Sequence, residues 1–147
     1  MRNVRNCIKN SHLLVHKNMG SVLTKLIKHN PQSIRFLLEK FSNVDMLESR
    51  EFECYDNCTM SFNVVQLACK YNAEALMFLL SSKHDFTEQV NEINGKEGRQ
   101  YNALIVALIY QPDCLPVLFK SKYFSNSIIK QTNKFMPEML WNTFNLQ

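Results

Sequence analysis

Asn63-Val-Val-Gln-Leu-Ala-Cys-Lys-Tyr-Asn-Ala-Glu-Ala-Leu-Met-Phe-Leu-Leu80 reads as two short helices joined at Asn72. Asn63 is an N-cap, because its side-chain oxygen can accept from a free backbone N–H one turn on. Val65, Leu67, Ala68 and Cys69 supply a packed face, and Leu76, Leu79 and Leu80 recur at helical spacing. Asn72 is placed to end the first helix, since Asn tolerates the left-handed backbone that helix ends often adopt.

The pattern occurs twice more without gaps. Upstream it is Ser21-Val-Leu-Thr-Lys-Leu-Ile-Lys-His-Asn-Pro-Gln-Ser-Ile-Arg-Phe-Leu-Leu38. Downstream it is Asn102-Ala-Leu-Ile-Val-Ala-Leu-Ile-Tyr-Gln-Pro-Asp-Cys-Leu-Pro-Val-Leu-Phe119. The starts lie 42 and 39 residues apart. Leu23, Leu26 and Ile27 match Val65, Ala68 and Cys69, as do Leu104, Ala107 and Leu108. Ile34, Leu37 and Leu38 match Leu76, Leu79 and Leu80, as do Leu115, Leu118 and Phe119. Phe78 and Phe119 are read as core. Asn30-Pro31 and Gln111-Pro112 fall at the turn, where Pro opens the second helix without losing a needed N–H.

Beyond each pair, Phe41-Ser42, Phe86-Thr87 and Phe124-Ser125 predict a short third helical piece capped by Ser or Thr, with the Phe plugging its repeat. The polar connections from Glu48 to Ser61 and from Glu92 to Gln100 are expected to project as hairpin-like loops, and Asn94-Gly95 is a turn signal. One helix is expected in residues 2–18 and another, opened by Pro137 and carrying Trp141, in residues 136–146, since the ends of a stack need caps. The expected fold is therefore all-α: a helical repeat solenoid with long connecting loops in a single domain over residues 1–147. Its parts are a cap at 1–19, repeats at 20–60, 61–98 and 99–134, and a cap at 135–147.

The three segments resemble ankyrin repeats. That family shows Thr-Pro-Leu-His, then apolar-Ala-Ala, a turn Gly and a closing Leu-Leu pair. The matching stretches here are Asn63-Val-Val-Gln-Leu-Ala-Cys with Leu79-Leu80, Asn102-Ala-Leu-Ile-Val-Ala-Leu with Leu118-Phe119, and Ser21-Val-Leu-Thr-Lys-Leu-Ile with Leu37-Leu38. The resemblance covers roughly residues 20–130. No copy keeps Thr-Pro-Leu-His, the turn residue is Asn or Gln, and the spacing exceeds the family's period of about 33. HEAT or armadillo repeats, with periods of about 40 to 47, are the alternative. The divergence and the Asn, Lys, Ile and Phe richness resemble ankyrin proteins of intracellular bacteria and large DNA viruses. That implies a host-directed factor in the host cytoplasm.

Composition agrees with a folded helical domain. Of 147 residues 46% are hydrophobic and 20% charged, and Gly (3) and Pro (4) are too few for a turn-rich β fold. The basic start Met1-Arg-Asn-Val-Arg-Asn-Cys7 is not followed by an apolar core, so no secretory signal is read. The longest apolar run, Ala103 to Tyr110, is too short to span a bilayer. The chain is expected to be soluble and cytoplasmic, with its five cysteines reduced. Charge is uneven. Residues 1–40 carry eight Lys/Arg against Glu39, while residues 45–56 carry five acids against Arg50. The acidic stretch is read as a solvated loop.

Catalytic and metal patterns do not assemble. Cys54-Tyr-Asp-Asn-Cys58 lacks the second ligand pair that a structural zinc site needs. His12, His16, His29 and His84 are scattered and read as surface or helix-end residues. The three glycines form no phosphate loop. The expectation is a non-enzyme with no cofactor and no metal, binding another protein; nucleic acid and small-molecule substrates are not expected. The ankyrin resemblance implies partner contacts at Lys28 and His29, then at Thr59, Met60, Phe62, Lys70 and Tyr71, then at Gly98, Arg99, Tyr101, Ile109 and Tyr110. Tyr and Arg are the types that dominate binding hot spots. The alternatives are a regulatory part of a larger enzyme, and electrostatic binding of nucleic acid or membrane through the basic N-terminal region.

Overall fold

The computed structural model describes residues 15–41, 44–55, 58–96 and 99–135. The expected helix at 136–146 lies outside them, as does most of the one at 2–18. Helix α1 (Val15–His29) is followed by α2 (Gln32–Lys40) and a short 3-10 turn (Val44–Glu48). Strands β1 (Arg50–Tyr55) and β2 (Cys58–Asn63) follow, and β2 runs straight into α3 (Val64–Tyr71) and α4 (Ala73–Leu80). Then come α5 (Thr87–Asn91), α6 (Ala103–Tyr110), α7 (Cys114–Lys120) and α8 (Asn126–Phe135).

The expected all-α repeat solenoid is not what the chain forms. The fold is mixed: among the described residues, eight α-helices accompany a two-stranded antiparallel sheet. The helix pairs echo one another, but the pieces that join them do not. A 3-10 turn and a hairpin follow the first pair, a five-residue helix the second, and a ten-residue helix the third. The hairpin has a local cause. Thr59-Met-Ser-Phe62 alternates with period two and turns Met60 and Phe62 toward the core, as a half-buried strand does, whereas in the paired Glu51-Phe-Glu-Cys54 the apolar Phe52 and Cys54 stay exposed and the two glutamates turn inward.

The core lies between two helix layers. Helix α3 packs on α1 and α6, and α4 packs on α2 and α7. Leu23, Ile27, Leu67, Ala68, Leu76 and Leu79 are among the fully buried side chains. Each buried Leu or Ile contributes about 1.5–3 kcal/mol relative to exposure. Phe119, expected in this core, is instead half exposed and packs edge-on to Phe124 at 4.9 Å.

Local capping sets the helix starts. Asn63 Oδ1 accepts from Gln66 N (2.8 Å) and Gln66 Oε1 accepts from Asn63 N (3.0 Å), a reciprocal capping box. Asn102 repeats the cap with Ile105 N (3.0 Å). Asn72 is extended (φ −160°), not left-handed. Its N–H closes α3 on the Ala68 carbonyl while its side chain caps α4 at Ala75 N. Thr87 does not cap α5; Asp85 accepts from both its N–H (3.0 Å) and its hydroxyl (2.6 Å). Gly95 has φ +97°, and a Cβ there would lie 2.3 Å from the Arg99 carbonyl oxygen. His84, expected as a surface or helix-end residue, is buried, with Nε2 3.2 Å from the Leu38 carbonyl at the end of α2. Cys69 and Cys114 are buried between α3 and α7, and burial together with this neighbour pushes the Cys69 thiol well up. A thiol held protonated in this way packs and does not attack.

Candidate interaction surface

Alternation along the hairpin gives it two faces. The register pairs Glu51 with Phe62 and Glu53 with Met60, and Arg50 with Asn63 and Phe52 with Ser61. Directly paired residues share a face. Glu51, Glu53, Met60 and Phe62 therefore turn one way, and Arg50, Phe52, Ser61 and Asn63 the other.

The first face meets the last turns of α1 and α3, where cations are favoured by the helix dipole. Lys28 pairs with Glu51, and Lys70 with Glu53. The Lys70 side chain is only 9% exposed. Its ammonium lies 4.8 Å from the ring centre of Tyr110, 4.9 Å from that of Phe62 and 5.2 Å from that of Tyr71. Lys28 lies 5.1 Å from the Tyr71 ring centre. The Tyr71 hydroxyl donates to Glu53 Oε1 at 2.6 Å. Partial desolvation, then this bond, raises the Tyr71 phenol above its ordinary value. The outcome is a ridge in which two rings are held by cations at their faces. Tyr71 (38%), Tyr110 (37%) and Ile109 (43%) remain exposed along it.

The second face is tied to the chain that follows α5. Arg50 donates twice to Glu92 (2.8 and 2.7 Å) and its Nε donates to Ser61 Oγ (2.6 Å). Asn94 Nδ2 donates to Gln66 Oε1 (2.8 Å) and to the Ser61 carbonyl (3.2 Å). The Tyr101 hydroxyl donates to the Ser61 carbonyl (2.8 Å) and accepts from its N–H (2.9 Å). Burial pulls the Glu92 carboxyl upward, but Arg50, Asn94 and Asn63 outweigh it and hold it below its usual range. Phe52, also on this face, is 64% exposed.

Five of the twelve residues expected to touch a partner belong to the ridge: Lys28, Lys70, Tyr71, Ile109 and Tyr110. Two do not reach the surface. Phe62 is fully buried, and Tyr101 packs on it at 5.8 Å while its hydroxyl is spent on Ser61. Met60 is half-buried against the core. Thr59 lies on the opposite hairpin face beside Cys54 (3.7 Å). His29 and Arg99 are exposed, and Arg99 N–H closes a turn on the Lys96 carbonyl. Gly98 lies outside the described residues. Glu51 and Glu53 were not among the expected contacts, and apolar alternation could not have found them, because it places Phe52 and Cys54 inward where the structure leaves them exposed.

Among the described residues no three His, Cys, Asp or Glu side chains converge as metal ligands would. No helix among them is long and apolar enough to cross a membrane. Comparison with family models, with curated proteins and with solved structures finds no match for this chain.

Proposed function

We propose that the chain is a non-catalytic protein-binding module of the cytoplasm, and that its partner seats on the Tyr71–Ile109–Tyr110 ridge. The observation that carries this reading is the Lys70 ammonium held between the Tyr71 and Tyr110 rings and bonded to Glu53. Exposed tyrosines normally lose side-chain freedom when they bind. Here cations at their faces restrict them beforehand, so less entropy is lost on association. Tyrosine flanked by an aliphatic residue is the composition of a binding hot spot. The charges of Lys28 and Lys70 are compensated by Glu51 and Glu53, which leaves little attraction for nucleic acid at this ridge.

The test is affinity capture from cell lysate with the parent chain beside a Tyr71→Ala/Tyr110→Ala variant. A discrete protein retained by the parent and lost by the variant, with helical circular dichroism unchanged, supports the ridge. Retention of the same proteins by both chains rejects it.

A further inference from the structure

Two grooves run across the second helices and share no residue with the ridge. One, of about 590 Å³, lies between α4 and α7. The other, of about 200 Å³, lies between α2 and α4, and Ser82 lines both. The floor is apolar: Leu38 and Phe78 in the smaller groove, Met77, Leu80 and Val117 in the larger. Met77 stays 46% exposed. The larger groove falls within the range of sites that take small ligands or side chains, roughly 300–1,000 Å³.

The walls carry an excess of positive charge. Arg35, Lys83, Lys120 and Lys122 face the grooves against a single carboxylate, Glu39. None of these four cations enters a salt bridge among the described residues. Nor are they spent on the ends of α4 and α7. The hydroxyls of Ser81, Ser82 and Ser121 donate instead to the carbonyls of Met77, Leu79 and Leu118, at 2.7, 2.7 and 2.8 Å. Asp85 lies near enough to Lys122 to be lowered by it, but two bonds from Thr87 already engage that carboxylate.

We propose that this ledge is a second docking site and that its occupant is an acidic peptide segment of a partner protein with apolar side chains that enter the grooves. Cations that enter no salt bridge among the described residues, beside an apolar floor, call for carboxylates and hydrophobic anchors on one ligand. A nucleic acid strand would find no open stacking platform, since the one ring in the floor, Phe78, lies under the Arg35 guanidinium at 5.9 Å. A membrane surface would meet a concavity where insertion needs protruding apolar groups.

Panning a random peptide display library on the intact chain tests this, with Lys120→Glu/Lys122→Glu and Met77→Asp as comparison variants. Both variants change exposed side chains, and circular dichroism confirms their folds. The expected result is enrichment of peptides rich in Asp or Glu together with Leu, Ile or Phe. Synthesised, they bind the parent on the order of tenfold more tightly than either variant. Enrichment of neutral or basic peptides, equal binding to parent and variants, or no enrichment overturns the proposal. So does binding to phosphatidylserine vesicles or to single-stranded DNA that the charge reversal abolishes while panning yields nothing, which would give the ledge to that surface.

Discussion

The two faces of the β1–β2 hairpin are built from the same kinds of residue and reach opposite ends. Both carry a cation–carboxylate pair beside a tyrosine. On the Arg50 face the pair is bidentate, the tyrosine is buried, and Arg50, Ser61, Asn63 and Glu92 each have two or more hydrogen-bond partners. On the Glu53 face the pair also engages aromatic rings, and both tyrosines keep more than a third of their surface in water. The first arrangement locks the hairpin to the chain between Glu92 and Tyr101. The second leaves rings that are restricted but not covered. A satisfied buried network supports a fold, whereas oriented exposed rings support a contact.

This contrast predicts unequal costs, largest first. Asn63→Ala removes the cap and leaves Gln66 and Glu92 short of partners. Denaturant unfolding should show a loss of about 3 kcal/mol. Gly95→Ala sets a Cβ against the Arg99 carbonyl at a positive φ and should cost about 2 kcal/mol by the same measurement. A neutral result at either position would mean that the inner face does not hold the hairpin.

Glu92→Gln should cost about 1 kcal/mol or less at pH 7, because the pair is about one-third exposed and screened. Its pH dependence carries a sign. The folded carboxyl lies below its ordinary 4.5, so its contribution is present above that pH and is lost as pH falls through the lower folded value. The stability difference between parent and variant should therefore shrink below pH 4.5. A gap that instead widens in acid would reverse the assignment.

The outer face should be cheap. Tyr71→Ala is expected to change stability by about 0.5 kcal/mol, since the ring is more than a third exposed. Glu53→Gln should lower the Tyr71 phenol toward its ordinary value in a spectrophotometric titration, because it removes the carboxylate that accepts the phenolic proton. If Tyr71→Ala unfolds the chain, the ridge is structure, and the distinction between the faces fails.

The sequence by itself determined the local events. Asn63 and Asn102 cap the residues three positions ahead, and the apolar spacing of each helix pair is written within one or two turns. Contacts of this range need no knowledge of the rest of the chain. Only the tertiary structure decided the hairpin and the fate of each tyrosine. Tyr101 is buried because Ser61, forty positions away, takes its hydroxyl. Tyr71 and Tyr110 stay partly exposed, each with the Lys70 ammonium, tied to Glu53, near its ring. A tyrosine carries the same apolar body and polar tip in either setting, so composition does not separate the two outcomes. Which groups lie across from it does, and those groups are brought there by the register of β1 on β2 and by the packing of α3 against α6.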